Sequence, residues 1–435
     1  MSRPVTLSRG RPGARIAGLV ETRSSVVLAL ATLALGAVYV WVVTPGLPYD
    51  EPSHWSNVLF YAHHASLPIL GHPGVTYEAQ QGPLAYALDA LLVRAAQGVG
   101  LGLDTAFRVV RLLGVVELAC AVPLLAGLIE RVVGNRRAAL AGTAVFALNP
   151  MLLTMAASVQ NDTLALLLGV LALVLAVRLL DDRPRIAPAA LVGVLAGLAV
   201  LAKLTAWPIV VAIPFWLVWR RRRSALGASL AFLVAVGVLT AWWFIRNVVL
   251  YGDPTAAAGV VKLGLSYPPF HVHGLSGVGH IVEEVVTYLW LPTEYLRNSL
   301  HAPGILKTLL LALTLAVVLV GIVDRRRLRG SAVSLVVSCG IVAFLSWLLL
   351  FLGVQGSPPR LAYMAWPLWI ALVALLAARL PARACLATVL SGLVILNAWV
   401  LYEGARVHTS RFGLIANTST LPSAGRAGSD ARRTA

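Results

Sequence analysis

Eleven apolar runs alternate with short arginine clusters along this chain, and that alternation leaves few folds open to it. Most of the runs reach the ~20 residues that a helix needs to cross the hydrocarbon core of a bilayer. Inside a bilayer each segment has to satisfy its own backbone amides, so the runs read as helices. Composition agrees: 59% of the residues are hydrophobic and 12% charged, with a mean hydropathy of +0.82. A soluble domain is about half apolar and about a quarter charged. The expected fold is an all-α polytopic membrane protein with about eleven transmembrane helices and surface-lying helices in a long first outer loop.

The net charge of +17 would suggest nucleic acid if it were spread over a soluble surface. Here the arginines cluster between apolar runs, which is the positive-inside pattern, and no nucleic-acid partner is expected. Arg131, Arg136 and Arg137, then Arg178, Arg183 and Arg185, then Arg220 to Arg223, Arg325 to Arg329, and Arg379 with Arg383 mark the inner loops. The threading follows. Residues 1–23 form a cytoplasmic N-terminus and 24–405 a membrane domain whose first run is a retained signal anchor. Outer loops cover 44–107 and 247–303, and 406–435 reads as a disordered tail. All nine histidines then fall outside. The tail arginines, Arg406 to Arg433, run against the rule, because eleven spans leave that tail outside. Cys120, Cys339 and Cys385 lie in apolar runs with no pairing pattern, so neither a disulfide framework nor a zinc site is implied.

The chemistry concentrates in Pro48-Tyr49-Asp50-Glu51-Pro52-Ser53-His54-Trp55, just after the first run. Asp50 reads as an N-cap, Pro52 as part of a first helical turn, and Trp55, Val58, Leu59, Ala62 and Ala65 as one apolar face. A carboxylate at the positive end of a helix stays ionised and directed, which suits a general base. A plain cap at a loop-to-helix junction has the same appearance. Asp162, Lys203, Arg246 and Arg360 are expected at the same membrane face. Each has a bland reading: Asp162 as a helix cap, Lys203 as a snorkelling lysine, the arginines as interfacial anchors. Yet the positive-inside bias thins cations on that face, and phosphate is their natural partner. Glu117, in mid-span, is either a functional carboxyl or a neutral one hydrogen-bonded to a neighbouring helix, and the second reading is preferred.

With these pieces assembled the chain resembles the glycosyltransferase C superfamily, and within it the protein-O-mannosyltransferase and aminoarabinose-transferase type. The likeness rests on Asp50-Glu51 opening the first outer loop, on Tyr77-Glu78-Ala79-Gln80-Gln81-Gly82-Pro83-Leu84, and on Ser158-Val159-Gln160-Asn161-Asp162. It continues through Ala202-Lys203-Leu204-Thr205, Trp243-Phe244-Ile245-Arg246-Asn247, Tyr251-Gly252-Asp253-Pro254 and Pro358-Pro359-Arg360-Leu361. The resemblance implies an inverting transfer of a sugar from a polyprenyl phosphate donor to a glycan, lipid or protein acceptor, outside a bacterial plasma membrane. Asp50 is then the base, with Glu51 beside it. Substrate contacts fall to His54, Gln80, Gln81, Asp162, Lys203, Arg246 and Arg360, the basic groups holding the leaving phosphate. Some members use a divalent cation, for which Asp50, His54 and Asp162 are candidate ligands. Two departures stand out: Gln80 and Gln81 occupy a segment where aminoarabinose-type enzymes carry lysine, and Leu361 follows Arg360 where tyrosine is usual. A lipid or sugar transporter, or flippase, of the cell-envelope pathway is the alternative. It calls for charges near the midplane and symmetric broken helices, whereas this chain gathers its charges at one face. A non-catalytic scaffold is a third reading, against which the Asp50-Glu51 pair weighs. The second outer loop, with Tyr267-Pro268-Pro269 and its histidines, is expected to shape the acceptor side.

Overall fold

The computed structural model describes residues 23–407, apart from 49, 65, 264–269, 294–295, 297–299, 329, 354–357 and the side chains of 382–385. The N-terminal arginines before Arg23, Tyr49, Ala65, Tyr267-Pro268-Pro269, Glu294, Arg329 and the tail from His408 onward lie outside the described residues. Every regular element within them is helical.

The chain opens with α1 (Arg23–Val42), followed by two helices of the first loop, α2 (Glu51–His63) and α3 (Leu84–Gly98). Then come α4 (Leu103–Val133), α5 (Arg136–Ala147), α6 (Pro150–Ala156), α7 (Asp162–Leu180), α8 (Ile186–Ala202), α9 (Pro208–Arg221) and α10 (Leu226–Tyr251). The second loop carries α11 (Ala257–Lys262) and α12 (Gly274–Trp290). The last four are α13 (Gly304–Val323), α14 (Ala332–Gly353), α15 (Trp366–Ala377) and α16 (Ala382–Arg406).

A helix stands where each expected span was placed. Among the described residues, eight stretches are long and apolar enough to cross a bilayer, or nine if α5 and α6 together form one span. One of the eight, Leu204–Tyr251, contains both α9 and α10, and α8 is a shorter apolar helix. The third expected span is not continuous: α5 and α6 meet at a bend of 51°. Asn149 causes the break. Its Oδ1 accepts from the amides of Met151 (2.9 Å) and Leu152 (3.2 Å), and Pro150 sets the first turn of a new helix.

Hydrogen bonds identify one end of the bundle. Asp181 accepts from Arg220 Nε at 3.1 Å, from Arg221 through its main-chain oxygen, and from Ser331. Asp324 takes a two-pronged contact from Arg379 at 2.7 and 2.8 Å. The arginine-rich turns thus gather together, as the alternation of spans requires. The apolar face of α2 does not simply rest on a bilayer. Trp55, Val58 and Ala62 are buried with Tyr86, Ala90 and Val93 of α3 and Phe107 and Val110 of α4 in a small core of their own. The mid-span Glu117 accepts a hydrogen bond from Thr163 Oγ1 of the neighbouring α7 at 2.6 Å.

One glycine ties this loop core to the bundle. A Cβ on Gly82 would stand 2.1 Å from the carbonyl oxygen of Leu201, near the end of α8. That neighbour is backbone and cannot rotate away. Gly82→Ala is therefore expected to lower stability by about 1–3 kcal/mol, the usual cost of overpacking, read as a lower melting temperature in detergent.

Candidate active site

The Asp50-Glu51 pair divides into two different jobs. Asp50 takes a left-handed backbone (φ 67°), which side chains other than glycine rarely adopt, though aspartate and asparagine tolerate it better than most. Its main-chain oxygen starts α2 by accepting from His54 N at 2.9 Å, but its side chain makes no cap bond. The expected side-chain cap is thus not formed, because the carboxylate is engaged elsewhere. Oδ1 accepts from the Tyr77 hydroxyl and Oδ2 from the Arg360 guanidinium.

Glu51 turns inward. Both its oxygens are held by Arg111, from Nε at 2.8 Å and Nη2 at 2.6 Å. The amides of Val159 (2.8 Å) and Gly46 (2.7 Å) complete its shell. Arg111 Nη1 donates in turn to the main-chain oxygens of Val43 (2.7 Å) and Val40 (3.3 Å). Glu51 and Arg111 are both 0% exposed. One buried clasp therefore joins the end of α1, the start of α2, α4 and the bend before α7. Arg111 was not anticipated, although an arginine one turn inside a span is a signal that a buried partner exists.

Around Asp50 lies a polar cluster supplied mainly by the first loop. His54 Nδ1 lies 2.8 Å from the Tyr86 hydroxyl, and its Nε2 lies 3.6 Å from Glu78 Oε1. Tyr86 donates to Glu78 Oε2 at 3.0 Å and lies 3.4 Å from Asn161 Nδ2. Lys203 pairs with Asp162 Oδ2 at 2.8 Å, both buried. Lys203 is thus a buried partner and not a snorkelling lysine. Asp162 begins α7 as an ion-pair partner, while Asn161 holds the cap position.

Three expected contacts fall elsewhere. Arg246 stacks 4.8 Å over Trp243 and donates to the Pro68 oxygen, and neither partner belongs to the Asp50 group. Tyr251 accepts from Leu70 N at 3.1 Å, so this part of α10 braces the first loop. Gln80 and Gln81 are half-buried in or beside the short turn Tyr77–Gln80, where the Gln81 amide donates to the Glu78 main-chain oxygen at 3.0 Å and closes the turn. Tyr77 and Glu78, within the same motif, are the residues of that turn whose side chains reach the cluster. Arg360 arrives on the separate turn Pro359–Ala365. In the second loop α12 contacts that turn and α6. Beside α12 a cavity of about 390 Å³ is lined by His280, Glu283, Glu284, His301 and Lys307 among others.

Burial pushes the Glu78 carboxyl up to about 7, with Asp50 adding to the rise and Lys203 and Tyr86 opposing it. Burial, then Lys203 and Arg360, hold the His54 imidazole well below its usual range, so it stays neutral. A carboxyl whose folded pKa is raised contributes stability that is complete below its unfolded value and is lost as pH rises through the folded one. The melting temperature of chelator-treated protein is accordingly expected to fall between pH 5 and 8 as Glu78 ionises, and to fall less in Glu78→Gln. Equal slopes for the two proteins would contradict this placement of charge.

Asp50, His54 and Glu78 each offer a ligand atom, and these atoms lie within 4.8 Å of one another. Two carboxylate oxygens and a neutral imidazole suit a divalent ion. The expected trio differs in one member: Lys203 takes Asp162, and Glu78 stands in its place.

The sequence pattern of the dolichyl-phosphate-mannose-protein mannosyltransferase family matches residues 92–245. No curated protein matches the sequence. Among solved structures, ArnT from Cupriavidus metallidurans, bound to undecaprenyl phosphate, is similar with a TM-score of 0.52 at 14% identity, covering 91% of this chain and 75% of its own. The Archaeoglobus fulgidus oligosaccharyltransferase, in a complex with Zn and sulfate, is similar with a TM-score of 0.52 at 13% identity, covering 87% of this chain and 53% of its own. The chain thus spans about half the length of that enzyme. The chain is thus similar to that mannosyltransferase family over residues 92–245, and it shares a polytopic helical fold with both solved enzymes.

Proposed function

We propose that this protein transfers a sugar from a polyprenyl phosphate donor to an acceptor hydroxyl on the non-cytoplasmic side of a bacterial cell membrane. The observation that carries the reading is Asp50, a carboxylate set between the Tyr77 hydroxyl and the Arg360 guanidinium beside the Lys203–Asp162 pair. The acceptor oxygen attacks the anomeric carbon and the bond from that carbon to the phosphate oxygen breaks. Its electron pair leaves with the phosphate, and Asp50 takes the proton of the acceptor hydroxyl. Attack opposite the leaving group inverts the anomeric centre.

Arg360 and Lys203 are the cations within this group, so the phosphate charge is assigned to them rather than to Arg246. In the absence of donor, Arg360 and Asp50 neutralise each other. A phosphate that draws Arg360 to itself leaves Oδ2 of Asp50 open to a proton. Glu51, with both oxygens occupied, is a positioning residue in this scheme and not a second base. A divalent ion held by Asp50, His54 and Glu78 would supply electrostatic stabilisation of the departing phosphate. The transporter reading lacks support, because these ion pairs gather at one end of the bundle.

The test is transfer of labelled sugar from a panel of polyprenyl phosphate sugars by the purified chain in membranes. Label in an acceptor fraction is the expected result. Uptake of the donor into vesicles without product would sink the proposal.

A further inference from the structure

The bend at Ser158–Asn161 and the first residue of α7 hold three side-chain oxygens that no group among the described residues satisfies: Gln160 Oε1, Asn161 Oδ1 and Asp162 Oδ1. All three residues are buried, Gln160 at 7% exposure and the other two at 0%. Buried polar atoms are nearly always hydrogen-bonded, so three consecutive exceptions want an explanation. The orientation of each is set by its neighbours. Gln160 Nε2 donates to the Met155 carbonyl, so turning the amide over would set oxygen against oxygen. Tyr86 spends its hydroxyl proton on Glu78, so it can only accept from Asn161, whose Nδ2 faces it. Asp162 gives its other oxygen to Lys203. All three unfilled positions are therefore acceptors, and what completes them is a group rich in donors.

The bend also touches the rest of the site. Val159 N donates to Glu51 next to Asp50, Asn161 reaches the Tyr86–Glu78 pair, and Asp162 meets Lys203. We infer that Gln160, Asn161 and Asp162 form the subsite for the hydroxyl groups of a neutral sugar on the donor, and so set which sugar is transferred. This rests on the transferase reading. Neutrality follows from the three side chains themselves: Gln160 and Asn161 carry no charge and Asp162 is paired with Lys203, so none of the three offers an unpaired carboxylate to an amino sugar.

The experiment measures affinity of the purified full chain in nanodiscs for undecaprenyl phosphate, bare or carrying mannose, glucose, arabinose or 4-amino-4-deoxyarabinose. Monodeoxy forms of the tightest neutral donor are then compared. A neutral sugar is expected to tighten binding about 10-fold or more, and loss of a recognised hydroxyl to cancel that gain, since a buried acceptor left unpaired is costly. Gln160→Met and Asn161→Leu should each become insensitive to one particular hydroxyl while holding bare undecaprenyl phosphate as before.

Equal affinity for bare and sugar-bearing lipid would overturn the inference, as would deoxy donors that bind like their parent, a pattern expected if water alone fills these positions. Tighter binding of the amino sugar would overturn it too. So would variants that weaken the bare lipid as much as the loaded one. If neither variant folds, the deoxy series on the wild type decides alone. Hydroxyl-dependent affinity without any transfer would count against the transferase reading and leave the subsite standing.

Discussion

Asp50→Asn is expected to lower sugar transfer about 100- to 10,000-fold, the range that a positioned general base contributes. The amide keeps the shape of the carboxylate, and its oxygen can still accept from Tyr77. What it lacks is a lone pair basic enough to take the proton of the acceptor hydroxyl. Binding of undecaprenyl phosphate should persist or tighten, because Arg360 no longer spends its charge on an anionic partner. The two readouts separate the base from a merely structural contact. Parallel loss of transfer and of lipid binding would mean that Asp50 shapes the site. Transfer within a few-fold of wild type would remove Asp50 from the chemistry altogether.

Arg111→Met is the second large effect expected, and it falls on stability. Removing one partner of a buried ion pair costs about 3–5 kcal/mol, because the other charge stays buried without compensation. Here the stranded group is Glu51, fully buried, and the main-chain oxygens of Val40 and Val43 lose a donor as well. Burial of charge also makes the effect reversible in part. In Glu51→Gln with Arg111→Met no charge is left stranded, and the double variant is expected to melt above Arg111→Met alone. The measurement is thermal unfolding in detergent for the four proteins of the cycle. A single variant that melts with the wild type would show that the clasp does not hold α1, α2, α4 and the 158–161 bend together.

Much of the architecture could be read before any coordinates. The apolar runs and arginine clusters place the helices, because hydrogen-bond satisfaction and charge in a bilayer act locally, along one segment at a time. The same signal puts Asp50, Asp162, Lys203 and Arg360 at one end of the bundle, where they meet. What no single segment carries is which groups face each other. Glu51 looks like a twin of Asp50 in the sequence, and only the fold shows that it pairs with Arg111, 60 positions away. Gln80 and Gln81 drew attention through their motif, while Glu78, two positions earlier, reaches Tyr86 and His54 because a short 3₁₀ turn sets which side chains point inward. Arg246 shares the chemistry of Arg360 but lies against Pro68 and Trp243. Local hydrophobicity and charge determined the helices and the end of the bundle that holds the polar groups. Long-range packing alone decided which cations, hydroxyls and amides the oxygens of each carboxylate meet, because those partners lie far away along the chain.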